Sequence, residues 1–284
     1  SFLLDLGFKK ENKVIFYSAN TLESLFFELA VFLLGGITIP VNRFSDINKI
    51  VASSEDSYYI FSDKPEIIDH IVKDDLLNNR ITKGFIVTDE KINIEDKFLN
   101  YLNVVKFGFL KRKKLKDTLD EHSKSISQEA TATIYYKFDE NENPKAQIFS
   151  QEKIINLLKV IQKKLKFVTE ESQSFSYLPA TDSFSRFANI LNIQIGNRGA
   201  IAANMQDFFD DVREVMPHIV FLTKNQLEII VKELKYAGES IKEHLGGRSK
   251  YIFSDTMPGD GIKTDLVKNG ITVIELNQLA LVEA

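Results

Sequence analysis

The strictest constraint on this chain is a rhythm, in which short β-rich runs alternate with stretches of helical periodicity. Lys13 to Tyr17 (KVIFY) reads as a strand. Leu22, Leu25, Phe26, Leu29, Phe32 and Leu33 then recur at helical spacing, with Asn20 as N-cap and Glu23 three residues on. Gly35-Gly36 stops that helix, and Ile37 to Val41 forms the next strand. Asp46 is placed to cap a helix through Ala52, Tyr58 to Ser62 is strand-like, and Pro65 sits where a helix favours proline. Gly84 to Thr88 is a further strand. Units repeated in this way predict an α/β fold with mostly parallel sheets flanked by helices.

Composition narrows the classes. With 284 residues, 44% of them hydrophobic, the chain can fill one large domain or two. A net charge of −4 provides no global field for nucleic acid. Cysteine is absent, which excludes disulfides, thiolate metal sites and a cysteine nucleophile. The four histidines are scattered without metal-ligand spacing, and His218 beside Pro217 reads as a satisfied, partly buried side chain. No apolar run reaches the ~20 residues a membrane span needs. The opening SFLLDLGFKKEN lacks the basic leader of a signal peptide, so the expected location is cytoplasmic. The cluster Lys111-Arg112-Lys113-Lys114, with Lys116, reads as a solvated linker or helix face. The alternative is a nucleic-acid or anionic-lipid patch, against which Asp117 and Glu121 follow at once and no aromatic interleaving supports base stacking.

The stretch from Ala130 to Gln151 carries the chemistry. A strand-like run, Ala132 to Tyr136, enters a polar turn ending in Asn143-Pro144-Lys145; Gln147 to Phe149 follows. Ile154, Leu157, Leu158, Ile161 and Leu165 then trace one helix face. This layout resembles the phosphate-binding hairpin of the AMP-forming acyl-CoA synthetases, the adenylate-forming ligases. Thr133, Ile134, Tyr136, Asn143, Pro144 and Lys145 match it, whereas the glycine-and-hydroxyl loop is replaced by Lys137-Phe138-Asp139-Glu140-Asn141-Glu142. A polyphosphate cradle needs backbone N–H groups at glycines and hydroxyl donors. Here carboxylates stand in the anion's place, each costing on the order of 4 kcal/mol at close range for an effective dielectric near 20. A metal-binding role for the three acids is the minor alternative to a solvated acidic turn.

Further blocks keep the same order. Gly36 to Asn42 fits Gly-x-x-x-Pro-x-Asn; Leu178, Pro179, Phe184 and Arg186 are similar to the long-chain fatty-acid branch, with Asp182 at the family's histidine. Gly246, Gly247, Arg248, Tyr251, Ser254, Pro258 and Gly270 match a later block. The segment that packs on adenine in the family becomes Asp255-Thr256-Met257. The segment whose threonine contacts the α-phosphate and whose glutamate holds magnesium becomes Asn277-Gln278-Leu279-Ala280-Leu281.

The resemblance implies two α/β subdomains side by side, residues 1–128 and 129–284, with the family's C-terminal lid domain absent. It makes Lys145 and Tyr136 remnants of the phosphate hairpin and Asp182, Phe184 and Asn277 cleft candidates; no catalytic or metal residue is assigned. The expected function is a catalytically inactive acyl-CoA-synthetase-like protein, a binding or assembly subunit whose partner is another protein or a second copy. The alternatives are an ATP-independent fatty-acyl binding protein, or an active fatty-acid–CoA ligase completed by another chain. No cofactor is expected; ATP, Mg2+ and CoA belong only to the ligase alternative.

Overall fold

The structure, a computed structural model, describes residues 1–89, 97–178, 182–202, 207–238 and 240–277. Pro179 and residues 278–281, on which part of the resemblance rests, lie outside them. The chain forms two compact units, Ser1–Ile155 and Asn156–Ala284.

The first unit contains α1 (Phe2–Asp5), β1 (Lys13–Tyr17), α2 (Leu22–Leu33), β2 (Ile37–Pro40), α3 (Phe44–Ala52), β3 (Tyr58–Ser62), α4 (Ile67–Lys73), α5 (Asp75–Arg80) and β4 (Ile81–Ile86). It continues with β5 (Phe98–Asn100), α6 (Tyr101–Lys111), α7 (Lys116–Lys124), β6 (Thr131–Phe138), β7 (Pro144–Ser150) and the start of α8 (Gln151–Lys164). Seven strands form one sheet in the order β5-β4-β3-β1-β2-β6-β7. All its pairs are parallel except the hairpin β6–β7. Both faces are covered, and the period of two sorts the strand residues between two cores. Ile15, Ile39 and Ile60 join an isoleucine-rich cluster, whereas Val14, Phe16, Tyr59 and Phe61 join an aromatic one with Phe8, Phe27, Phe85 and Tyr101. The Phe27 and Phe61 rings stack at 4.8 Å. Much of the chain's phenylalanine content is explained by packing of this kind.

Several boundaries differ from the sequence reading. The cap of α2 is Thr21, not Asn20: Thr21 and Ser24 exchange side-chain-to-backbone bonds at 3.2 and 3.1 Å. Arg43 precedes α3, and Asp46 sits inside its first turn, where its carboxylate takes both arms of the Arg43 guanidinium at 3.0 and 2.9 Å. The chain divides within α8, later than the expected break at residue 128. The reason is that β6 pairs with β2, the Thr133 hydroxyl donating to the Thr38 carbonyl at 3.0 Å, so the hairpin completes the first sheet.

The second unit contains β8 (Gln173–Ser176), α9 (Ser183–Ile195), β9 (Arg198–Ile201), α10 (Phe208–Val215), β10 (Ile219–Phe221) and α11 (Lys224–Ala237). It ends with α12 (Ile241–His244), β11 (Tyr251–Ser254), α13 (Asp260–Lys268) and β12 (Thr272–Glu275). Its five strands are all parallel, in the order β12-β11-β10-β8-β9. The chain steps from β8 to β9 on one side and then to β10 on the other, so the strand order switches between β8 and β10. Open parallel sheets take ligands outside the carboxyl ends of their strands at such a switch.

Candidate functional site

The hairpin tip between β6 and β7 is where an anion cradle is expected, and the fold closes it from within. The Asp139 carboxylate accepts the backbone N–H groups of Asn141 (3.0 Å) and Asn143 (2.9 Å). Two further tip donors are also engaged, the Asp139 N–H on the Asn143 carbonyl and the Glu142 N–H on the Asp139 carbonyl. These bonds, that to Asn143 foremost, hold the Asp139 carboxyl below the usual carboxylate range. Asp139 therefore occupies the concavity in which backbone N–H groups would receive a phosphate oxygen.

Lys145 and Glu142 are paired as well. Lys145, 71% exposed, has its ammonium 3.5 Å from Asp139. Glu142 adopts a left-handed φ of 61°, and Lys49 donates to its carboxylate at 2.9 Å. That bond and the charge of Lys49 lower the Glu142 pKa. Tyr136 lies at the edge of the isoleucine-rich core; burial pushes its phenol up to about 12.

In the second unit the strand ends are bridged by side chains. Gln226, at the third position of α11, forms a capping box with Thr223 and donates its amide to the Tyr177 carbonyl at 3.0 Å, spanning the β8–β10 switch. Asp255, after β11, accepts the backbone N–H groups of Lys224 (2.7 Å) and Thr256 (2.8 Å). Asp182 caps α9 by accepting the Phe184 N–H at 2.8 Å. Burial pushes its carboxyl above the usual range, and the charge of Asp255 adds to that push. Ser176, the last residue of β8, is 1% exposed, and its hydroxyl has no hydrogen-bond partner among the described residues. Two carboxylates at these strand ends set a potential that opposes a polyphosphate.

The sequence-derived cleft candidates divide among different roles. Asp182 stands at a strand-end position and caps a helix. Phe184 is fully buried, its ring 6.1 Å from that of Phe221, so it is a core residue of its unit. Asn277 is exposed just past β12. His218 accepts the Gln173 N–H on Nδ1 at 3.0 Å and contacts Arg248 through Nε2, at the opposite ends of the strands from Asp255. Among the described residues, no three His, Asp or Glu side chains are grouped to hold a metal ion. The sequence reading missed Gln226, although Thr-x-x-Gln is a readable capping signal. It also missed Lys49, whose partner lies 93 residues away and leaves no local mark.

Two parallel-sheet units in this order, the first ending in an antiparallel hairpin, make up the fold of the N-terminal domains of adenylate-forming acyl-CoA ligases. Three solved structures show the match. The N-terminal domain of FACL13 from Mycobacterium tuberculosis superposes with a TM-score of 0.71 at 14% identity, over 96% of this chain and 64% of that one. A protein titled long-chain-fatty-acid CoA ligase from Rhodopseudomonas palustris gives 0.71 and 14% over the same shares. The o-succinylbenzoate CoA synthetase of Bacillus subtilis gives 0.65 and 12%, over 96% of this chain and 49% of that one. The chain thus spans less than two thirds of the length of these proteins, and at such identities the likeness concerns the fold. No protein-family model and no curated protein matches the sequence.

Proposed function

We propose that this chain is a catalytically silent variant of the acyl-CoA-ligase fold that works by binding or assembly and does not adenylate a substrate. The observation that carries the reading is the Asp139 carboxylate on the Asn141 and Asn143 N–H groups. An internal anion already holds the donors that a β- or γ-phosphate would need, and Glu142 adds a second negative charge beside it. A phosphate would have to displace this pair of charge-assisted bonds. Asp182 and Asp255 support the same conclusion at the second unit's strand ends. The partner is a protein or a second copy of the chain, and no cofactor is required.

The deciding experiment is a calorimetric titration of the protein with ATP and magnesium. The expected result is no heat of binding up to millimolar nucleotide. Binding in the micromolar range would overturn the proposal and call for an assay of pyrophosphate release, with Lys145→Ala as the control. A parallel titration with a long-chain fatty acid and no nucleotide tests whether an acyl chain is bound independently of ATP.

A further inference from the structure

The first unit leaves an apolar surface open that its own core does not need. On α2 the side chains of Leu22 and Phe26 are 54% and 58% exposed, and Leu33 is also exposed. On α6 the exposed residues Leu102, Val105 and Phe109 recur at positions i, i+3 and i+7, which places them on one stripe, and Leu110 is exposed beside them. The two stripes border one cavity of about 330 Å³, whose lining includes Phe26, Leu33 and Val105 from the stripes and the buried Phe27 and Val104 beneath. A helix whose solvent side only meets water is polar there. This one presents Phe109 at 72% and Leu110 at 68% exposure.

Along α6 and the turn after it the charge has one sign. From Tyr101 to Lys116 the sequence holds Lys106, Lys111, Arg112, Lys113, Lys114 and Lys116, and no acidic residue. Residues 97–124 contain eight Lys or Arg against three Asp or Glu, a net of +5 in a chain whose net charge is −4. Lys111 is held by Asp5, whereas Arg112, Lys113, Lys114 and Lys116 are exposed. Cations at a helix C-terminus offset the last carbonyls, which accounts for one or two of them and not for six. The acids Asp117, Asp120 and Glu121 follow on α7, beyond the basic run.

We infer that α2, α6 and the basic turn after α6 form a docking surface for an anionic phospholipid membrane. The exposed aromatic and aliphatic side chains enter the boundary between head groups and acyl chains, and Lys106 and Arg112 to Lys116 meet the lipid phosphates. The binding is interfacial: among the described residues no helix is long and apolar enough to cross a bilayer. It requires neither nucleotide nor an acyl substrate, so it stands apart from the function proposed above.

Cosedimentation with vesicles tests the inference. The protein should partition onto phosphatidylcholine vesicles that contain phosphatidylserine, stay in solution with phosphatidylcholine alone, and be released by added salt. Replacing two cations (Lys113→Ala with Lys114→Ala) should weaken partitioning about 30-fold. Phe109→Asp with Leu110→Asp should weaken it about 100-fold. All four positions are exposed, and an unchanged thermal melt of each variant confirms that folding is intact. Absence of binding to the anionic vesicles at low salt overturns the inference, as does equal binding to both vesicle types. A concentration-dependent dimer that Phe109→Asp abolishes, without vesicle binding, overturns it in favour of a contact between copies of the chain.

Discussion

Asp139 in the first unit and Asp182 in the second are the same residue type in the same local act, a carboxylate accepting backbone N–H groups. Their surroundings reverse the consequence. Asp139 stands on a solvated hairpin tip beside Lys145, and its bonds favour the charged form. Asp182 is half-buried near Asp255, and desolvation favours the neutral form. Local hydrogen bonding decides where water and a cation are at hand, and desolvation decides where they are not. Under the proposed function both outcomes oppose an incoming phosphate: Asp139 already holds the Asn141 and Asn143 N–H groups, and the second region holds acids where positive charge would be wanted.

The comparison can be broken most forcefully at Phe184. As a core residue against Phe221, Phe184→Ala should destabilise the chain by about 3–5 kcal/mol in chemical denaturation. A cost near zero would instead put Phe184 at an open cleft. The next effect separates filled from unfilled polar groups within the second unit. Ser249 is buried and donates to the Leu245 carbonyl at 2.6 Å, so Ser249→Ala should cost about 1 kcal/mol. Ser176→Ala, which removes a hydroxyl without a partner among the described residues, should be neutral or stabilising. Equal losses at the two serines would mean that Ser176 is bonded in solution.

The two aspartates then predict pH effects of opposite sign. The folded pKa of Asp182 lies above its ordinary 3.8, so its contribution is fully present below that value and is lost as pH rises through the folded pKa. Asp182→Asn keeps a capping side chain and should raise stability at neutral pH relative to the parent. The folded pKa of Asp139 lies below 3.8, so its contribution is present above that value and lost as pH falls through the folded pKa. Asp139→Asn should flatten only the acid limb of the stability profile. This effect is the smallest, because the group is solvated and screened by salt. A last measurement sharpens the contrast: Asp139→Gly frees the Asn141 and Asn143 amides, whose NMR shifts should then move on addition of inorganic phosphate. Movement of the same amides in the parent protein would show that Asp139 does not close the tip.

Helix α2 shows where sequence reading stops. Its apolar residues cover almost every side, so periodicity placed Leu22, Phe26 and Leu33 on the packing stripe. Of that stripe the fold buries Leu25, and beside it Phe27, Glu28 and Val31, which the stripe left out, with the Thr38 hydroxyl reaching Glu28 at 3.4 Å. A helix without a polar face has no unique inner side until the sheet beneath it is in place. The α6 segment has the same ambiguity: its buried Tyr101 and Val104 and its exposed Leu102, Val105 and Phe109 are all apolar. By contrast, the stripe read along α8 and just past it holds: Ile154, Leu158, Ile161 and Leu165 are buried and Leu157 is half-buried.

The sequence by itself determined the alternation of strand and helix, the parallel α/β class, the β6–β7 hairpin and the acidic character of its tip. These depend on residue type and near spacing: a period of two or 3.6, a Gly-Gly stop, three acids within four positions. Only the tertiary structure decided that the hairpin closes the first sheet, that Asp139 fills its own cradle with Lys49 holding Glu142, and that Phe184 is core. Each of these joins groups far apart in the chain or depends on burial. Strand order and desolvation are properties of the packed chain, and no local pattern encodes them.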